Sequence, residues 1–244
     1  MAVATGISFG PHVSEWPDDI AAVIAQRRRE LIADIRAAVS TVPADDEAIA
    51  LALLAGETRA HLRRLAALTR GVCERMNIDA AAQPHLVRAV LFANLGRRIY
   101  PDKAADSRLR FDAPLETRWA LTLLGMPEAG EMAGWLATVE PPLGHENRRH
   151  SWRAAQVLHG LVTWRGLTEA DSMGNDRDVA FTDALMRLRS GALGVDTVVG
   201  AAIEAEARNA ADAERVQVPK TPPGWQARPG ARKTRTVAQL MRKR

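Results

Sequence analysis

Apolar residues recur at intervals of three and four along nearly the whole chain, and nowhere do they alternate over a useful length. The first spacing lines one face of a helix and the second would line one face of a strand, so the pattern confines the chain to helix-on-helix packing. Even the β-branched residues keep this period: Ile20, Val23, Ile24, Ile35 and Val39 share a helical face with Leu31. The fold class that follows is all-α, an irregular multi-helix bundle of roughly eight helices.

Start and stop signals divide the pattern. Ser14, Pro17, Asp18 and Asp19 open a first helix that runs to Val39, since proline suits a first turn and acids favour a helix N-terminus. After Pro43, a long stripe of Leu51, Leu54, Thr58, His61, Leu65, Leu68, Val72 and Met76 predicts a second helix. Gly56 and Gly71 are its weak points, each costing about 1 kcal/mol relative to alanine. A third helix is expected over 83–99, and two shorter ones over 114–124 and 127–139. A sixth spans 146–164, a seventh carries Phe181, Leu185 and Leu188, and a last one begins near Val195 and continues as an exposed extension over 204–215. Residues 102–112 are charged and aperiodic, which predicts a surface loop and the best internal boundary. Residues 1–101 and 112–215 are then two helical parts or one continuous domain, and 216–244, rich in proline, glycine and arginine, form a disordered basic tail.

Charge is unevenly placed. The net charge of +4 comes from 33 basic and 29 acidic residues, but from Lys220 onward there are eight basic residues and no acid, which leaves 25 basic against 29 acidic in residues 1–219. A mildly acidic body has no global attraction to polyphosphate, so any such affinity is local. The candidates are Arg228, Arg232, Lys233, Arg235, Arg242, Lys243 and Arg244. Arginine outnumbers lysine 29 to four in an alanine-rich background, as in chains from GC-rich bacterial or phage genomes. The opening residues lack a basic n-region and no long uncharged apolar run exists, so a cytoplasmic protein without a membrane segment is expected.

Chemistry-bearing motifs are few. His145-Glu146-Asn147-Arg148-Arg149-His150 superficially resembles a zinc-binding helix, but its histidines are five apart. That separates them by about 140° around a helix, where ligands four apart differ by about 40°. They cannot share one ion from one regular helix, and the single cysteine, Cys73, supplies no further cluster. No histidine is followed by aspartate and no glycine-rich phosphate loop is present, so neither metal nor cofactor is expected. His150 and His159 are candidates for buried histidines or a general base, and His61 lies within an apolar stripe and reads as core. Cys73, beside Val72 and Met76, reads as a small apolar side chain.

Trp119, Trp135, Trp152 and Trp164 lie on expected helices at spacings suited to packing. The doublets or triplets at Arg27–Arg29, Arg63–Arg64, Arg97–Arg98 and Arg148–Arg149 read as solvated faces beside acids, or as a basic patch assembled by the fold. A helix-turn-helix over 183–202 fits poorly, because Arg187 or Ser190 falls where a small buried residue is needed.

These features favour a non-enzymatic regulatory or assembly factor that contacts nucleic acid, or an acidic protein partner, through its arginine-rich C-terminal arm. Two alternatives stand beside it: a protein-interaction adaptor using the tryptophan-rich middle, and a helical hydrolase or transferase with a site at His145, Glu146 and His150.

Overall fold

The computed structural model describes residues 16–42, 45–54, 56–101, 106–137, 148–171, 177–191 and 193–217, with 106–111, 148–151, 169–171, 177–180 and 214–217 described as backbone alone. Every regular element among them is helical. The chain divides into two compact units, one ending at Arg208 and one beginning at Asn209; the described part of the second, residues 209–217, forms the closing turns of the last helix.

Helix α1, Asp18–Thr41, follows Pro17 and buries Ile24, Leu31, Ile35 and Ala38. Helix α2, Asp46–Leu53, starts where the Asp45 carboxylate accepts the Glu47 N–H at 3.1 Å. The long second helix expected from the sequence is interrupted here. The chain leaves the helix at Leu54, which is extended (φ −111°, ψ 108°), and Gly56 beyond it adopts φ +84°, a left-handed conformation that glycine enters without steric cost. Helix α3, Arg59–Arg75, begins afresh under a Thr58 cap, whose hydroxyl accepts the His61 N–H at 3.2 Å, and it runs unbroken through Gly71.

Helix α4, Gln83–Leu91, opens with a proline in its first turn and buries Leu86, Val87, Ala89, Val90 and Leu91. It stops eight residues before the expected Ile99, and a 3₁₀ turn over Gly96–Ile99 replaces the missing end. That turn holds a close approach: a Cβ on Gly96 would run into the Ala113 carbonyl oxygen and lie 2.6 Å from the Thr117 nitrogen.

Helix α5, Asp106–Leu123, takes up residues 106–112 of the expected loop, whose residues 102–105 lie outside the described residues, and corrects the expected start at Pro114, which lies within it. Proline removes one backbone hydrogen bond from a helix interior, and this helix continues on either side of it. Helix α6, Pro127–Gly134, passes into a 3₁₀ turn over Trp135–Ala137. Helix α7, Arg148–Asp171, extends beyond Gly166; α8 spans Arg177–Arg189 and α9 spans Thr197–Gln217. The expected exposed extension of the last helix is packed at its start, with Ala207 buried and Glu206 paired to Arg75. The described residues thus contain nine α-helices, one more than expected because the break at Gly56 makes two from one.

The core lies where α3, α4, α5, α6 and α7 meet, around Leu62, Leu86, Phe92, Leu95, Leu121, Leu158 and Leu161. Helix α1 packs on α2, on the Gly96–Ile99 turn and on α5, and α8 packs on α7.

Candidate functional site

The two sites suggested by the sequence fall largely outside the described residues. Arg228, Arg232, Lys233, Arg235, Arg242, Lys243 and Arg244 lie beyond residue 217, and His145 and Glu146 precede α7. His150 is in the first turn of α7, described as backbone alone. His159, two turns further on, places Nε2 3.4 Å from the Leu193 carbonyl oxygen. Among the described residues no group of three or more His, Cys, Asp or Glu is arranged to hold a metal ion, and no helix is long and apolar enough to cross a membrane.

The arginines, by contrast, have defined places. Four reach from one element to the carbonyl end of another. Arg98 Nη1 donates to the Leu53 oxygen at the end of α2 (2.5 Å), and Arg153 Nη1 to the Met76 oxygen after α3 (3.3 Å). Arg165 Nη1 donates to the Val90 and Leu91 oxygens closing α4 (3.0 and 2.9 Å), and Arg27 Nη1 to the Tyr100 oxygen after the 3₁₀ turn (2.5 Å). The last carbonyls of a helix lack intrahelical donors and carry its negative dipole end, so a guanidinium satisfies them both by hydrogen bond and by charge.

Other arginines meet carboxylates across elements: Arg63 with Glu47 at 3.0 Å, Arg75 with Glu206 at 2.5 Å, Arg88 with Asp46 at 2.9 Å, and Arg118 with Glu131. The solvated-face reading of Arg27–Arg29 therefore needs correction: Arg27 and Arg28 are partly buried and tie α1 to neighbouring elements, and Arg29 alone of the three stays exposed.

Two ionic clusters are buried. In the first, Arg165 is 1% exposed and pairs through Nη2 with Glu57 Oε1. Glu57 Oε2 lies 3.7 Å from His61 Nε2. His61 is thus partly exposed at the start of α3 beside a carboxylate, rather than a core side chain. At 3.7 Å the pair is outside hydrogen-bonding range, so Glu57 serves chiefly as the counterion of Arg165.

In the second, Glu116 of α5 is 1% exposed and accepts from Arg28 Nη2. Tyr100 hydrogen-bonds to the same carboxylate, and Asp112, one turn earlier on α5, accepts from Trp16 Nε1 at 3.3 Å. Burial pushes the Glu116 carboxyl above its ordinary pKa; Arg28 opposes that rise, and Asp112 adds to it. The Tyr100 hydroxyl is also pushed up, first by burial and then by Glu116 and Asp112. Burial raises Cys73 to about 12, which removes the thiolate that a nucleophile needs.

The tryptophans anchor the packing. Trp16 stacks at a tilt on Tyr100 with centroids 5.7 Å apart, and Trp164 meets Phe181 edge-on at 5.5 Å. Trp119 and Trp135 are partly buried against the core, whereas Trp152 is 43% exposed.

No protein-family model, curated protein or solved structure matches the chain.

Proposed function

We propose that the protein is a non-enzymatic bacterial or phage regulatory or assembly factor that contacts nucleic acid through its arginine-rich segment 220–244. The supporting observation is the division of charge. The body carries more acid than base, and its arginines Arg27, Arg28, Arg98, Arg153 and Arg165 are committed to carbonyls and carboxylates of the body itself. The surplus positive charge lies in residues 220–244, and lysine and arginine that reach phosphates release counterions from nucleic acid.

The test is fluorescence anisotropy on labelled duplex and single-stranded probes at low salt. Neutralising Arg228, Arg232, Lys233, Arg235, Arg242, Lys243 and Arg244 abolishes binding, while neutralising Arg29 and Arg36, both exposed on α1, leaves it intact. Wild-type protein that fails to bind overturns the proposal. A protein-interaction role then takes its place, favoured by the exposed apolar side chains of Trp152, Met186 and Val198.

A further inference from the structure

Helix α1 is fastened by polar contacts concentrated on one small region. Arg27 holds the Tyr100 carbonyl (2.5 Å), Asp34 holds Arg98 (2.6 Å), Arg28 enters the interior to Glu116, and Trp16, just before the helix, donates to Asp112. The last two contacts define an unusual charge problem. Asp112 and Glu116 stand four residues apart on α5, the spacing at which like charges on a helix face repel. Among the described residues, the guanidinium set against Glu116 is that of Arg28, and α1 delivers it.

We infer that α1 is a proton-coupled clasp, docked more tightly on the Arg98–Tyr100 turn and α5 when Glu116 carries a proton than when it is ionised. The groups facing Glu116 are Arg28 from α1, Tyr100 from the segment after the 3₁₀ turn, and Asp112 from its own helix. With Glu116 ionised, docking must remove a carboxylate from water and leave, among the described residues, the charges of Glu116 and Asp112 against the Arg28 guanidinium. With Glu116 protonated, the Asp112 carboxylate remains as a counter-charge to Arg28 and the burial cost of the Glu116 carboxylate, the largest influence on this group, is gone; the Arg28 and Tyr100 hydrogen bonds favour the ionised form and offset only part of it. Desolvation of a buried ion readily exceeds the attraction of one partner.

The sign follows from linkage. The docked state raises the Glu116 pKa, whereas undocking returns this carboxyl to water and toward its ordinary value. Docking therefore takes up a proton, is strongest below the ordinary carboxylate range, and weakens as pH rises through the raised value. The steepest possible dependence is about tenfold per pH unit for one proton.

The experiment is hydrogen exchange with mass spectrometry on the full chain from pH 5 to pH 9, corrected for intrinsic exchange rates. The expected result is protection of residues 24–38 that falls about tenfold or more over this range relative to α3 and α4. In Glu116→Gln, which mimics the protonated form, protection of α1 stays flat and exceeds that of wild type at high pH. Asp112→Asn provides a second measurement: removing the neighbouring charge moves the fall to higher pH if Asp112 anchors α1 and to lower pH if it repels Glu116, and the clasp requires the lower. Wild-type protection independent of pH, an equal fall in α1 and α3, the same fall in Glu116→Gln, or an unmoved or raised midpoint in Asp112→Asn would each overturn the inference.

Discussion

Arg165, deep in α7, donates to the Leu91 carbonyl at the end of α4 at 2.9 Å, although 74 residues separate them in sequence. The same guanidinium bonds the Val90 oxygen and Glu57, so one side chain joins α7, α4 and the start of α3. Its role is to close a helix end in a place that water does not reach.

Replacing Arg165 with methionine keeps much of the volume but leaves two carbonyls without this donor and Glu57 without its buried counterion. Breaking a buried pair from one side costs about 3–5 kcal/mol. The double variant Arg165→Met/Glu57→Gln is expected to recover part of that loss, because the orphaned charge is gone. Urea unfolding of the single and double variants measures both; an Arg165→Met variant as stable as wild type would remove the capping role.

Gly96 and Thr117 form the second sensitive contact. Thr117 Oγ1 accepts from the Gly96 N–H at 2.9 Å and lies 3.0 Å from the Ala113 oxygen, to which it donates. Gly96→Ala places a methyl group against backbone that has no room for it and is expected to destabilise by about 3 kcal/mol. Thr117→Val keeps the shape, leaves a buried N–H unsatisfied, and is expected to cost about 1–3 kcal/mol. Thermal or chemical unfolding distinguishes these magnitudes from the near-neutral effect of changing an open surface site.

Much of the architecture was legible because burial follows periodicity. The inward set Ala154, Val157, Leu158, Leu161 and Trp164 of α7 is the stripe seen in the sequence. The same stripe contains Arg165, seven residues after Leu158, and the stripe of α5 contains Glu116 between Ala113 and Ala120. A charge at an inward position was therefore the available signal for both buried clusters, but its partners are set by tertiary packing that periodicity does not encode. The start of α5 was hidden for the opposite reason: residues 106–112 show no apolar stripe, and a helix without one looks like a loop. The two candidate sites, at His145–His150 and in residues 220–244, are legible only as composition and spacing, because their chemistry depends on what they meet.

Cys73 is expected to be inert in the native state. It is fully buried and its thiol is pushed up to about 12, so at pH 8 the thiolate fraction is about one in ten thousand even when a reagent reaches it. Iodoacetamide in native buffer is expected to leave the protein unmodified over hours, and the same reagent in denaturant to add one group per chain. Alkylation of native protein at the rate of a free thiol would show that the helix α3 face around Val72 and Cys73 opens.

The nucleic-acid reading makes a quantitative claim about salt. If the eight basic groups from Lys220 to Arg244 supply the contact, the slope of log affinity against log salt on duplex DNA can be no steeper than about −7, since each neutralised phosphate contributes about −0.9. Incomplete engagement brings the expected slope to about −3 to −4. Sequence preference is expected to be weak, because phosphate contacts position a protein without reading bases. Removing four of the eight charges should roughly halve the slope, which anisotropy across a salt series measures directly. A slope beyond about −7 would require phosphate contacts from the folded body, and a slope near zero in a protein that still binds would assign the interaction to uncharged surface such as that around the exposed Trp152.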